Sequence, residues 1–167
     1  MDSFGEFLIP KEALERIKDP LALKRSVEEG MTLQEIFGYN DETMEKFYGA
    51  AYNLFQDKQY QEAANAFVFL TMLSPFVANY WLGLGMAEQM LEEYEAALTA
   101  YAMSIMLNAT NPIPYFHSAK CLFAINEPDR AVSSLELAVE HSAELSEYEI
   151  FKKQAQEVIK ARKKKTE

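Results

Sequence analysis

The sequence predicts an all-α protein built from three tandem helix pairs, with helices before them and one capping helix after. Three observations carry this. First, residues of matching character recur every 34 positions: Ala63, Ala97 and Ala131; Phe47, Trp81 and Tyr115; Tyr60, Tyr94 and Pro128; Phe67, Tyr101 and Leu135; Leu70, Ser104 and Ala138. That period is the tetratricopeptide repeat, whose units stack into a superhelical scaffold with a concave face. Second, only 6 Gly and 6 Pro among 167 residues favour long regular elements over a turn-rich β fold. Third, residues 63–87 and 96–119 carry no charge yet are broken by Ser74 and Pro75, and by Asn108 and Pro112. Each reads as one helix, a turn and the next helix, not as a membrane span of about 20 unbroken apolar residues.

The elements follow in order. Residues 1–43 form an N-terminal helical segment. Pro10 and Pro20 bracket a short helix over Lys11–Asp19, Leu21–Glu29 reads as a second, and Thr32-Leu33-Gln34-Glu35 is a capping box that opens a third. The repeats occupy 44–145, as units 44–77, 78–111 and 112–145. Unit two is the most regular, with Trp81-Leu82-Gly83-Leu84-Gly85 opening its first helix and Tyr94-Glu95-Ala96-Ala97 its second. Unit three is degenerate, with Ser118 and Ala119 where Leu and Gly stand in unit two, and Pro128 suited to the first turn of a helix. Ala51, Gly85 and Ala119, with Ala63, Ala97 and Ala131, are the small residues that let the two helices of a unit approach. Residues 146–167 supply the cap and a basic tail. The cap is predicted over Ser146–Lys164, with Tyr148, Phe151, Ala155, Val158 and Ile159 on one stripe.

Composition narrows the function. The net charge of −10 argues against nucleic acid, which requires clustered Lys and Arg. A single cysteine, Cys121, allows no internal disulfide and suits a reducing compartment. The amino terminus has no basic region and no long apolar core, so no secretory signal is expected. No catalytic or metal motif stands out and no cofactor is expected. His117 and His141 lack metal-ligand spacing and read as structural histidines, and Cys121 reads as a buried small hydrophobe. Gly83-x-Gly85 lacks the third glycine of a dinucleotide fingerprint and lies inside a predicted helix.

Binding is better marked. The first helix of a tetratricopeptide unit lines the concave face through its second, fifth, ninth, twelfth and thirteenth positions. Here these include Tyr48, Tyr52, Phe55 and Gln56; Asn79, Leu82, Met86, Gln89 and Met90; and Ile113, Phe116, Lys120, Phe123 and Ala124. A groove for a charged peptide end would carry more Lys and Arg. This one fits an extended, apolar, proline-containing segment, with methionines as an adaptable lining. The other reading makes the stripe core, packed against the C-terminal helix or a second copy.

Several segments add a family resemblance. Gly30-Met31-Thr32-Leu33, Asp41–Ala51 with Tyr52-x-x-Phe55, Tyr80–Gly85 with Gln89, and Pro114-x-Phe116-His117 with Cys121-Leu122 resemble the class II chaperones of type III secretion systems, over about residues 26–160. The resemblance implies a bacterial cytoplasmic chaperone of hydrophobic translocator proteins, with no catalysis and no stable membrane insertion. It implies a peptide-binding groove lined by Tyr48, Tyr52, Phe55, Leu82, Met86, Phe116 and Phe123, to which the inward repeat positions add Gln89 and Lys120. It also implies a homodimer formed through N-terminal helices, with Phe7, Leu8, Ile9, Leu14 and Ile17 as candidates. The alternative is a general tetratricopeptide adaptor within a larger assembly.

Overall fold

A computed structural model describes residues 9–142 and 149–166, without the side chains of residues 151, 163, 165 and 166. Among the described residues there are ten helices and no strand: α1 Lys11–Lys18, α2 Pro20–Glu28, α3 Leu33–Phe37, α4 Asp41–Gln56, α5 Tyr60–Leu73, α6 Ala78–Met90, α7 Tyr94–Leu107, α8 Pro112–Ala124, α9 Pro128–His141 and α10 Glu149–Thr166. They divide into two compact units, Met1–Phe76 and Val77–Glu167. No helix among the described residues is long and apolar enough to cross a membrane.

In the first unit the three short helices are set by local chemistry. Asp19 accepts from the Leu21 amide and Pro20 takes the first position of α2, where no amide hydrogen is needed. Thr32 and Glu35 form the reciprocal capping box: the Thr32 amide donates to Glu35 Oε2 at 2.7 Å, and the Glu35 amide to Thr32 Oγ1 at 3.3 Å. These bonds hold the Glu35 carboxyl below its usual range. Helix α3 ends at Gly38 with φ +70°, where a side chain would also meet the Ala13 Cβ of α1 at 3.2 Å. Helix α4 starts at Asp41, one turn before the expected repeat frame, because Asn40 caps it by accepting from the Thr43 amide at 2.8 Å.

Helices α4 and α5 form one pair; α6 and α7, then α8 and α9, form two more. The small residues sit at the crossings: Ala51, Ala63, Ala97, Ala119 and Ala131 are buried. Gly85 is the tightest point. A Cβ built there would lie 2.6 Å from Cε1 of Tyr101, inside any permitted carbon contact. The large residues of the second helix, Phe67, Tyr101 and Leu135, are buried at equivalent positions.

The turn inside each pair also repeats every 34 residues. Lys58, Glu92 and Asn126 have φ of 61°, 63° and 61°. In each turn the next amide reaches back to a carbonyl five residues earlier: Gln59 to Leu54 at 2.9 Å, Glu93 to Glu88 at 3.0 Å, Glu127 to Leu122 at 2.8 Å. This Schellman closure satisfies helix-end carbonyls and requires the left-handed residue that precedes it.

Helix α10 packs on α9, with Ala155 in the same buried cluster as Tyr115, Phe116, Leu122 and Leu135, and Ile159 against it. Arg162 pairs with Asp129 at 3.4 Å. Val158, expected on the buried stripe, is 41% exposed. Ser146 and Tyr148 lie outside the described residues, as does the Phe151 side chain.

Candidate peptide-binding site

The nine groove residues fall into three rows, each spaced by 34: Tyr48, Leu82 and Phe116; Tyr52, Met86 and Lys120; Phe55, Gln89 and Phe123. The first helix of each pair carries one member of each row, at relative positions 0, 4 and 7, which is one face of a helix.

In the first unit the face is aromatic. Tyr48 is half-buried, its ring edge-on to Phe67 with centroids 6.0 Å apart, so it is part wall and part core. Burial and the neighbouring Tyr52 push the Tyr48 hydroxyl above its ordinary pKa. Tyr52 is 49% exposed. Phe55 is half-buried against Tyr60, with centroids 5.4 Å apart.

In the second unit the same positions divide by depth. Leu82 and Met86 pack on the buried cluster of Ala97, Tyr101 and Cys121. Cys121 is a free, buried thiol whose pKa burial pushes up to about 11, so it stays protonated and inert. Phe116, expected to line the groove, lies deeper than its neighbours on the same face. It is only 6% exposed and belongs to the cluster that α10 closes through Ala155. Lys120 stays exposed with its ammonium 4.6 Å from the Phe116 ring centre, and Phe123 is 39% exposed. Both border a cleft of about 230 Å³ between α8, α9 and α10, lined also by Phe116, Leu135, Gln154 and Val158.

Gln89 is tied down rather than free. Its Oε1 accepts from the Tyr101 hydroxyl at 2.7 Å and stands 3.0 Å from His117 Nδ1. The His117 ring stacks on Tyr101 with centroids 5.8 Å apart. Burial lowers the His117 pKa to about 4, so the imidazole is neutral at pH 7. His117 is therefore a satisfied structural histidine, and His141 stacks on Tyr115 at 5.1 Å. The role of Tyr101 in holding Gln89 was not visible in the spacing; the one sequence signal is a hydroxyl on an otherwise apolar row. Close by, Glu88 Oε2 is buried with no hydrogen-bond partner among the described residues. Burial and Glu93 raise its pKa.

Of the N-terminal candidates, Leu14 is 38% exposed, and Ile9 and Ile17 are half-buried. Phe7 and Leu8 lie outside the described residues. Among the described residues no group of three or more His, Cys, Asp or Glu side chains could hold a metal ion.

With this geometry in view, comparison with known proteins places the chain. The tetratricopeptide repeat family model matches residues 44–75. The type III secretion chaperone SycD of Yersinia enterocolitica, solved in complex with a peptide of the translocator YopD, is 30% identical. The match covers 77% of this chain and 98% of SycD, with a TM-score of 0.74. This chain belongs to the class II type III secretion translocator chaperones. Low calcium response locus protein H of Yersinia pestis is 29% identical over 147 residues, 88% of each chain. PcrH of Pseudomonas aeruginosa, solved with the chaperone-binding region of PopD, is 28% identical over 78% of this chain and 98% of PcrH, with a TM-score of 0.75. The family's translocator chaperones thus share this chain's helical fold over most of its length.

Proposed function

We propose that this chain is a non-catalytic chaperone of the bacterial cytoplasm that binds hydrophobic translocator proteins before type III secretion. It holds an extended, proline-containing segment against the first-helix faces of its repeats. One observation carries the reading: at the nine groove positions seven side chains are apolar or aromatic, and Tyr52 and Phe123 remain substantially exposed on otherwise well-packed helices. Exposed large apolar side chains on helix faces mark an interaction surface. A translocator has membrane-inserting segments that aggregate in water, and covering them removes that apolar area from solvent. SycD and PcrH are each solved holding a translocator segment, of YopD and of PopD. Phe116 supports the face from beneath and does not touch cargo in this reading. Residues 1–43 would carry self-association, for which Leu14 offers exposed apolar surface; SycD has been solved as a dimer.

The test is co-purification from the bacterium that carries the chain. The wild-type protein should retain apolar, membrane-active translocators in the soluble fraction. Tyr52→Glu and Phe123→Glu together should lose them while the helical circular dichroism spectrum is kept. Undiminished recovery with the double variant would sink the assignment of these faces. Recovery of a stable soluble assembly instead of translocators would favour the general adaptor.

A further inference from the structure

The cluster of Gln89, Tyr101 and His117 joins α6, α7 and α8 in the second unit, and the apolar reading of the site leaves it unused. A carbonyl oxygen only accepts hydrogen bonds. Oε1 of Gln89 therefore takes the Tyr101 hydroxyl proton at 2.7 Å and the Nδ1 proton of His117 at 3.0 Å. Neither partner is loose. The Tyr101 ring occupies the space that a side chain at position 85 would need, and His117 stacks on that ring. With Oε1 bound twice, the side-chain amide is held in one orientation and its acceptor is used up. Its two N–H groups have no partner among the described residues, and Gln89 is half-buried on a face whose other groove members are Leu82 and Met86.

A proline-containing extended segment is rich in acceptors. Each proline removes an amide hydrogen and leaves its carbonyl, and an extended chain satisfies none of these internally. Burying such a carbonyl against Leu82 and Met86 without a donor would be costly. We propose that Gln89 is a hydrogen-bond donor of the cargo site, held by Tyr101 and His117 so that its amide N–H groups bind a main-chain carbonyl of the extended segment. This rests on the chaperone reading above and adds to it a polar register point within an apolar face.

The probe is a fluorescein-labelled peptide from the translocator recovered in that purification, titrated into full-length protein. Gln89→Glu keeps the shape and the acceptor for Tyr101 and His117 but loses the donor, and should weaken binding about tenfold or more. Tyr101→Phe keeps the ring and frees the amide, and should weaken binding by about threefold. In the wild-type protein the Gln89 side-chain amide signals, assigned by their absence in Gln89→Glu, should shift and exchange more slowly when peptide is added. That readout is taken on the wild-type protein and needs only the Gln89→Glu variant to keep its fold for the assignment, and a purely structural Gln89 would not show it. Unchanged affinity in Gln89→Glu, or amide signals that do not move, overturns the donor role. If Tyr52→Glu abolishes binding while those two results are negative, the chaperone reading stands and the donor role falls alone. If no translocator is recovered at all, both fall.

Discussion

The first and second repeats place different chemistry at the same positions, and the difference explains several features at once. In the first, the buried aromatic of the second helix is Phe67, the small residue opposite is Ala51, and the twelfth position is Phe55. In the second these become Tyr101, Gly85 and Gln89. A buried tyrosine hydroxyl needs a partner. Gln89 supplies it, and His117 donates to the same oxygen. Glycine at 85 supplies the room. In the third repeat the row is apolar again, with Leu135 and Phe123. The polar pair thus comes and goes as a pair, as it must when leaving either group alone would bury an unsatisfied atom.

Four stability measurements probe the difference between the repeats, in descending order of size. Both histidines, and Trp81 as the sole tryptophan, lie in the second unit, so Trp81 fluorescence reports that unit. Burial holds the folded His117 pKa at about 4, below the 6.5 of an ordinary imidazole, so the unfolded chain takes up the proton first. Its contribution to stability is complete above pH 6.5 and is lost as the pH falls towards 4, by up to about 3 kcal/mol. Denaturation followed at Trp81 should show this slope, and His117→Phe should flatten it. An equal slope in the variant would assign the acid sensitivity elsewhere.

Next, Gly85→Ala should cost about 2 kcal/mol. The overlap with Tyr101 outweighs the helix-propensity gain of about 1 kcal/mol, because Tyr101 is buried and hydrogen-bonded. Gly49→Ala in α4 meets nothing within 4 Å and should keep the gain. Opposite signs in thermal melts are the expected result. Third, Lys58→Gly and Glu92→Gly should each stabilise by about 0.5–1 kcal/mol by relieving the left-handed backbone, and Asn126→Gly by less, since asparagine tolerates that region. Last, Glu88→Gln should stabilise the second unit at pH 7 by about 0.5 kcal/mol, a figure discounted for solvent screening. The folded Glu88 pKa is raised, so its ionised form opposes folding and the benefit should vanish as the pH drops through the carboxylate range.

Much of the fold was legible because packing constraints repeat. Ala63, Ala97 and Ala131 announced the helix crossings, and Thr32 with Glu35 announced the start of α3. The left-handed turns were not legible, since Lys58, Glu92 and Asn126 share a backbone angle and no side-chain chemistry. In the candidate site, counting along the repeat put all nine residues on α4, α6 and α8 but did not give their depth. Phe116 is buried because α10 lies against α8 and α9, a long-range contact that no local spacing encodes. Gln89 was legible as a groove position, yet its partners come from two other helices, so only the fold brings the three together.

In the proposed function, cargo lies along the first helices of the repeats. Hydrogen–deuterium exchange of the full chain, with and without the recovered translocator segment, tests it most directly. The account predicts new protection in α4, α6 and α8, including the turns of Tyr52 and Gln89, and little change in α5, α7 and α9. Protection confined to α5, α7 and α9, with α4, α6 and α8 unchanged, would contradict it.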